Sequence, residues 1–318
     1  MAIVYLAPAT EKTIGGVKVI YRHAELLAGQ GIDCQVFHPS NPDFSCTWFD
    51  HNAPIKREPG FDKKNDFFVV PEAWVATSGR QCMAQKARFA VFVQNGYLFS
   101  QGYDPQNYDQ LREVYEAADL ILSISDDTSS MIKLAFPTLA AEKIVRVQLS
   151  VGNIFSDAGV RKKKLISYMP RRLTQHSSLV EFFLKEHMPS EWKLQPVDGL
   201  TENGVAGKLA QSSIFLSFSA MEGVGLPPLE AALCGNVVVG YTGEAGKEYF
   251  EPPVFKEVLN GDFKSFVKQV LAATDYVDDG STASAAFHEG VARVRKAYSR
   301  ERELERLLAF NERVKSIF

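Results

Sequence analysis

One stretch constrains the fold of this chain more than any other: Phe215-Leu-Ser-Phe-Ser-Ala-Met-Glu222-Gly-Val-Gly225-Leu-Pro227-Pro228-Leu-Glu230-Ala-Ala-Leu-Cys-Gly235-Asn-Val-Val-Val-Gly-Tyr241. Residues 214–218 form a short apolar run rich in β-formers, the signature of a strand buried on both faces of a parallel sheet. Gly223 and Gly225 free the backbone for a sharp turn above it. Pro227 and Pro228 suit the first positions of a helix, where a missing N–H is no loss. Gly235 fits just past the helix end, and residues 237–239 begin the next strand. Strand, turn, helix and second strand in so short a span predict an α/β protein.

Two carboxylates carry the chemistry of this junction. Glu222 is expected in the loop above the strand's carboxyl end, where open α/β sheets bind ligands. Glu230 is expected in the first helical turn, able to point into the same crevice. The pattern Glu-Gly-x-Gly-Leu-Pro-Pro-Leu-Glu-Ala-x-x-x-Gly closely resembles the E-x7-E signature of the retaining glycosyltransferases of family 4. Those enzymes have the GT-B fold, two Rossmann-like domains facing each other across a cleft. The resemblance implies that Glu222 lies beside a donor sugar and that Glu230 bonds the ribose hydroxyls of a nucleotide. It also makes Gly223, Val224, Gly225 and Leu226 donor-binding backbone. The plainer reading is a generic βαβ unit with a glutamate favoured near a helix start by the dipole.

The first half reads as a Rossmann-like domain. Residues 2–8 make a strand, Gly15-Gly16 opens a helix to about Ala28, Gly29-Gln-Gly31 stops it, and residues 32–38 make a second strand. Paired glycines at a helix start let backbone N–H groups approach an anion or sugar. By the resemblance, Gly15 and Gly16 face the donor phosphate and the acceptor. Residues 41–66 read as irregular. A strand over 66–70 ends at Pro71-Glu72-Ala-Trp74, which places Glu72 and Trp74 at the cleft rim within reach of an acceptor. A loop carboxylate and a packed indole are the alternative. The strand at 88–94 runs into Gln94-Asn95-Gly96-Tyr97. Where many family members carry a histidine touching the donor sugar, this chain has an amide pair. Gln94 or Asn95 could bond a sugar hydroxyl, with Tyr97 beside them, but neither amide shuttles protons near neutral pH. A simple turn at Asn95-Gly96 is the other reading. Residues 108–117 read as a helix and 120–124 as a strand. Ser125-Asp126-Asp127-Thr128 is better explained as a helix cap than as a metal site, since the D-x-D spacing of metal-dependent sugar transferases is missing. Residues 144–149 form the last strand of this half, and 151–163 a linker.

In the second half, Leu165-Ile-Ser-Tyr168-Met-Pro170 leads to Arg171 and Arg172 at the carboxyl end of a strand. The resemblance implies that one of these arginines neutralises the donor's diphosphate. A guanidinium fork suits paired phosphate oxygens and stabilises charge growing on a leaving group. The lysine that usually follows in the family is missing. A helix is expected over 179–187 and a strand over 192–197. Asp198-Gly199-Leu200 then resembles the nucleobase pocket, with a plain aspartate turn as the alternative. The chain between the arginines and Glu222 is short for the family, as though one βα unit were missing. Residues 242–249 form another loop at a strand's carboxyl end. A helix is expected over 262–273. From 285 onward the pattern is one long amphipathic helical tail that returns to brace the first domain.

These assignments give three parts: an acceptor-side Rossmann-like domain over 1–155, a nucleotide-sugar domain over 156–300, and a returning helix over 301–318. The length suits two cores. A net charge of −3 argues against nucleic acid as the main partner. No apolar run approaches about 18 residues, and the opening Met1-Ala-Ile-Val-Tyr-Leu passes directly into a strand pattern rather than a signal peptide. Cys34, Cys46, Cys82 and Cys234 show neither metal nor redox spacing, which suits reduced thiols in a cytoplasm. The function implied is a metal-independent, retaining hexosyl- or deoxyhexosyltransferase of polysaccharide biosynthesis. It needs no cofactor, with a nucleotide-diphosphate sugar as donor and a saccharide or lipid-linked acceptor. It would be cytoplasmic, meeting a lipid-linked acceptor at the inner face of the membrane. Two rivals stand beside it: a nucleotide-sugar epimerase or hydrolase, and a non-catalytic subunit of the same fold that binds a nucleotide sugar or a partner protein.

Overall fold

The computed structural model describes residues 1–58, 62–99, 107–157 and 159–318, so parts of the expected irregular stretch 41–66 and linker 151–163 lie outside the described residues. The chain divides into two compact units, Met1–Leu149 with Glu301–Phe318, and Ser150–Arg300.

In the first unit the strands are β1 (Ala2–Leu6), β2 (Cys34–Phe37), β3 (Ile55–Lys56), β4 (Asp66–Pro71), β5 (Arg88–Val93), β6 (Leu120–Ser123) and β7 (Ile144–Arg146). They form one parallel sheet in the order β3-β2-β1-β4-β5-β6-β7. The helices are α1 (Gly15–Ala28), α2 (Arg80–Gln85), α3 (Tyr108–Ala117) and α4 (Asp126–Ala135). Every residue of β1 and β4 is buried, as a strand covered on both faces must be. Alternation divides the core. Val4, Phe68 and Val91 pack with Leu111, Val114 and Ile132 of α3 and α4, whereas Tyr5 and Phe92 meet the His23 ring of α1 on the other face. The Ser125 hydroxyl caps α4 by accepting the Thr128 N–H at 3.0 Å, as the sequence predicts.

The second unit contains β8 (Lys163–Tyr168), α5 (Thr174–Leu184), β9 (Lys193–Pro196), α6 (Glu202–Gln211), β10 (Ser212–Glu222), α7 (Leu226–Leu233), β11 (Val237–Glu244), β12 (Phe255–Glu257), α8 (Phe263–Asp278) and α9 (Ala285–Ala297). Its sheet is also parallel, in the order β12-β11-β10-β8-β9. Phe218 of β10 stacks on Phe266 of α8, with ring centroids 5.0 Å apart and planes within 6°. Tyr241 of β11 meets the same ring edge-on. At the opposite, amino-terminal edge, the half-buried Lys162 donates its ammonium N–H groups to the carbonyls of Leu209, Ser212 and Cys234 and so ties three segments together.

Three expectations about the second half of the chain are corrected, and one helix is added. The helix predicted at 179–187 starts at Thr174 and ends at Leu184. A further helix, α6, fills the chain between β9 and β10, capped by Thr201 through the Gly204 N–H. The strand predicted at 214–218 extends to Glu222. The single tail helix is two, α9 and α10 (Arg300–Lys315), separated at Tyr298. Tyr298 leaves the helical path with φ −110° and ψ 34°, and its hydroxyl donates to Glu248 at 2.8 Å.

The final helix α10 belongs to the first unit. Leu307, Phe310 and Val314 are buried, and Phe310 faces Phe67 of β4. Arg313 donates to the Glu142 carbonyl at 2.8 Å. Glu303 is buried beside His23, with 3.7 Å between Oε1 and Nε2. Burial pushes the His23 pKa down to about 3, so the imidazole is neutral near pH 7 and the contact is not an ion pair. Among the described residues no helix is long and apolar enough to cross a membrane.

Candidate functional site

Parallel strands deliver their following loops to one edge of a sheet, and both units put candidate residues on that edge. In the second unit the neighbouring strands β8, β10 and β11 present, in turn, the arginine pair, Glu222 and Glu244. Glu222 is the last residue of β10 rather than a loop residue, and it stands opposite Glu244 in the parallel register. Met221 before it takes a left-handed φ of 51°, and the register slips between Ser219 and Glu222. This irregularity re-aims the carboxylate at the end of an otherwise regular strand.

Two glycines let the neighbouring loops close on Glu222. Gly225 has φ +80°, and a Cβ there would lie 3.0 Å from the Tyr249 hydroxyl. Gly243 has φ +64°, and a Cβ there would lie 2.8 Å from the Ser219 Cβ and 3.1 Å from the Glu222 Cγ. Neither position tolerates a side chain without moving the site. Tyr249, buried, shares its O–H between the carbonyls of Val224 (3.0 Å) and Gly225 (2.8 Å) and fixes the turn from below. Nothing in the sequence singles out this tyrosine, because its partners lie about 25 residues upstream.

Arg172 reaches Glu222 with 2.9 Å between Nη1 and Oε1. The guanidinium side chain is 57% exposed and the carboxylate 18%. Burial raises the Glu222 pKa, while the Arg172 charge pulls it the other way. With Met169, Ser219 and Pro227 the pair lines a small recess at the sheet's carboxyl edge. Arg171 points differently. It is 69% exposed and its Nε lies 3.9 Å from Asp198, so the structure separates the two arginines and joins only Arg172 to the glutamate. Asp198 is exposed, and Gly199 turns the chain with φ +63°.

The start of α7 is unusual as an anion site. With Gly225 at the N-cap, Leu226 is the first helical residue, and Pro227 and Pro228 follow it. Of the first orphan donors of a helix, two are therefore missing, and only the Gly225 and Leu226 amides remain. A phosphate at this helix start would need a side-chain cation as well, and Arg172 stands beside Pro227 in the same recess. Glu230 is the fifth residue of α7, half-buried in the second turn and not in the first as the sequence predicts.

In the first unit, Gly15 and Gly16 begin α1 as expected. A Cβ on Gly16 would lie 3.0 Å from the Gln94 Oε1, so the structure brings the glycine pair and the amide side chain together. Glu72 corrects its expected place at a rim. It is buried, and its Oε1 accepts the N–H groups of Gln94 (3.2 Å) and Asn95 (3.0 Å). Trp74 packs against the core. The Asn95 side chain accepts the Tyr97 N–H at 2.9 Å in an Asx turn, and the Tyr97 hydroxyl donates to Asp127 at 3.0 Å. Glu72 thus braces the turn that holds Gln94 against the start of α1. Burial pushes the Glu72 pKa up to about 7, despite those bonds. Among the described residues no three or more His, Cys, Asp or Glu gather in a way that could hold a metal ion. All four cysteines are buried and free.

No protein-family model matches the chain. An alpha-1,6-glucosyltransferase of Actinobacillus pleuropneumoniae serotype 7 is 32% identical over 82 residues, a match spanning 25% of this chain and 25% of that protein. Among solved structures, HepE from Anabaena in complex with UDP-glucose aligns with a TM-score of 0.70 at 11% identity, covering 98% of this chain and 99% of that one. The lipopolysaccharide outer core galactosyltransferase WaaB aligns at 0.66 and 15% identity over 100% of both chains. Sucrose-phosphate synthase from Thermosynechococcus elongatus gives 0.67 at 11% identity, again over 100% of both chains. These neighbours are GT-B glycosyltransferases, and this chain shares their α/β fold.

Proposed function

We propose that this chain is a glycosyltransferase that moves a hexosyl or deoxyhexosyl group from a nucleotide-diphosphate sugar to a saccharide or lipid-linked acceptor. The observation that carries the reading is the Arg172–Glu222 pair, set 2.9 Å apart beside a helix start that keeps only two free amides. The fold it shares with sugar-nucleotide enzymes, and the short stretch of identity with a glucosyltransferase, agree with it.

In this reading the diphosphate takes the Arg172 guanidinium and the Gly225 and Leu226 amides. Negative charge grows on the leaving phosphate as the glycosidic bond breaks, and a fixed cation with aligned N–H dipoles stabilises that charge more than it stabilises the intact donor. No metal ion is required for that role. Phosphate oxygens replace Glu222 as the partner of Arg172, and the released carboxylate turns to the sugar. Glu230, further along α7, holds the ribose. The sugar is transferred with retention, and in the first unit Gln94 beside Gly16 bonds a hydroxyl of the acceptor. A cytoplasmic enzyme facing the inner membrane surface fits a lipid-linked acceptor.

Incubation with a panel of UDP-, GDP- and dTDP-sugars, with and without acceptor saccharides, tests this directly. Mass spectrometry should show a glycosylated acceptor and free nucleoside diphosphate, and NMR an anomeric centre of the donor's configuration. An altered sugar nucleotide or free sugar as the sole product, whatever acceptor is offered, identifies the epimerase or hydrolase reading instead.

A further inference from the structure

The three tryptophans are used differently. Trp192 is buried, and its indole N–H donates to Asp278 at 3.2 Å. Trp74 packs against the core of the first unit. Trp48 does neither. It lies half-buried on the long loop between β2 and β3, with its ring 4.5 Å from Phe49 in an edge-on contact.

That loop is held firmly. The Cys46 N–H donates to the Tyr21 hydroxyl at 3.2 Å, the Tyr21 O–H donates to His38 Nε2 at 2.6 Å, and His38 Nδ1–H donates to the Ala7 carbonyl at 3.0 Å. The Thr47 hydroxyl donates to Glu11 Oε2 at 2.9 Å, and the Trp48 indole N–H to the Thr10 carbonyl at 3.4 Å. Phe49 stands edge-on to Tyr21 at 5.3 Å. Every anchor joins the loop to α1 or to the segment between β1 and α1. The two aromatic rings therefore sit at the carboxyl edge of the sheet, the edge that also carries Gly15, Gly16 and Gln94. A half-open indole whose N–H is already bonded has an apolar face and no donor to offer. Such a ring, on a loop whose preceding residue Thr47 is bonded to the exposed Glu11 carboxylate, suits a ligand with a C–H surface and neutral hydroxyls around it.

We propose that Trp48, with Phe49 and Glu11, forms a saccharide-binding subsite of the first unit. The C–H face of a pyranose stacks on the indole, and its hydroxyls donate to Glu11. Glu11 and the neighbouring Asp50 are both exposed acids, which disfavour a lipid phosphate at this position. The subsite deepens the transferase reading, since it makes the acceptor's recognised part a sugar ring. It also stands by itself as a binding site if donor binding fails.

The test uses the full chain and saturation-transfer NMR with maltotriose, isomaltotriose and cellotriose, alongside calorimetry with UDP, GDP and dTDP. At least one trisaccharide should bind the wild type. Trp48→Ala should weaken it roughly tenfold, Trp48→Phe should restore most of the loss, and Glu11→Gln should weaken it severalfold, all with unchanged nucleotide affinity. Equal trisaccharide binding by wild type and Trp48→Ala overturns the proposal, as does binding of none of the three. Loss of trisaccharide binding in Trp48→Ala with no binding of UDP, GDP or dTDP by any variant leaves the saccharide subsite standing and rejects the donor reading. Unfolding midpoints of the variants identify any loss due to a disrupted loop, and in that event Glu11→Gln against wild type decides: severalfold weaker trisaccharide binding upholds the proposal and equal binding overturns it.

Discussion

Replacing Glu72 by glutamine should reverse its effect on stability between acid and neutral pH. The carboxyl is buried under the Gln94–Asn95 turn, and burial pushes its pKa from 4.5 to about 7. Below pH 4.5 folded and unfolded chains both hold the proton, and the group contributes no pH dependence. Between pH 4.5 and about 7 the folded state keeps a proton that the unfolded chain has released, so stability falls as pH rises. At about 1.4 kcal/mol per tenfold change in the proton equilibrium, the full cost above pH 7 is roughly 3 kcal/mol. Glutamine keeps an oxygen for the two backbone N–H groups and has no charge to desolvate. Its buried NH2 costs roughly 1 kcal/mol if it finds no acceptor. Glu72→Gln should therefore be the less stable protein by about 1 kcal/mol near pH 4 and the more stable by about 2 kcal/mol at pH 8. Urea unfolding at several pH values, read by pulsed hydrogen exchange of the peptide 66–93, reports the first unit separately from the second. A stability difference that stays constant across that range refutes the reasoning, and so does a carboxyl carbon titration that places Glu72 near 4.5.

Other consequences follow from the second unit. Gly240→Ala should destabilise this unit by about 3 kcal/mol or more. Its φ is +137°, and a Cβ would fall 2.2 Å from the Ser217 carbonyl oxygen, so thermal unfolding of this variant should begin well below wild type. Glu222→Gln should lower kcat far more than it changes KM for the donor, whereas Glu230→Gln should mainly raise that KM; equal small effects on both would reject the two assignments. Arg172→Ala removes the charge that opposes burial at Glu222, so the Glu222 carboxyl should titrate at higher pH in this variant, as a carboxyl NMR titration would show.

Much of this fold can be read where local chemistry and tertiary need coincide. The strand–turn–helix around Glu222 carries its glycines and prolines in plain view, and α1 is bounded by Gly15 and Gly29 as a helix with clean stops should be. The helices that escape prediction lack such punctuation. Helix α5 follows Leu173, a left-handed residue with φ 45° and no capping side chain. Helix α6 does carry a Thr201 cap, but Gly204 and Gly207 inside it depress helix propensity enough to mask the signal. The break at Tyr298 has neither glycine nor proline; it follows from a buried ring and a hydroxyl bonded 50 residues away.

The candidate site divides in the same way. Residue types mark Glu222 and the arginines, but only the structure distinguishes Arg172, which meets Glu222, from Arg171, which leans toward Asp198. Adjacent residues leave on different sides of the chain, and a pair of like side chains in sequence does not say which one faces the recess. Glu72 shows the opposite limit. Its burial depends on a turn more than 20 residues later, which no local pattern announces.

The most direct measurement of the central claim is calorimetric titration of the wild type, Arg172→Ala and Glu230→Gln with UDP, GDP, dTDP and their hexose conjugates. One nucleotide series should bind the wild type saturably. Arg172→Ala should weaken it on the order of tenfold to a hundredfold, since a charge-assisted phosphate contact is lost from a half-exposed site. Wild-type affinity in Arg172→Ala, or no binding of any nucleotide diphosphate by the wild type, would contradict the account.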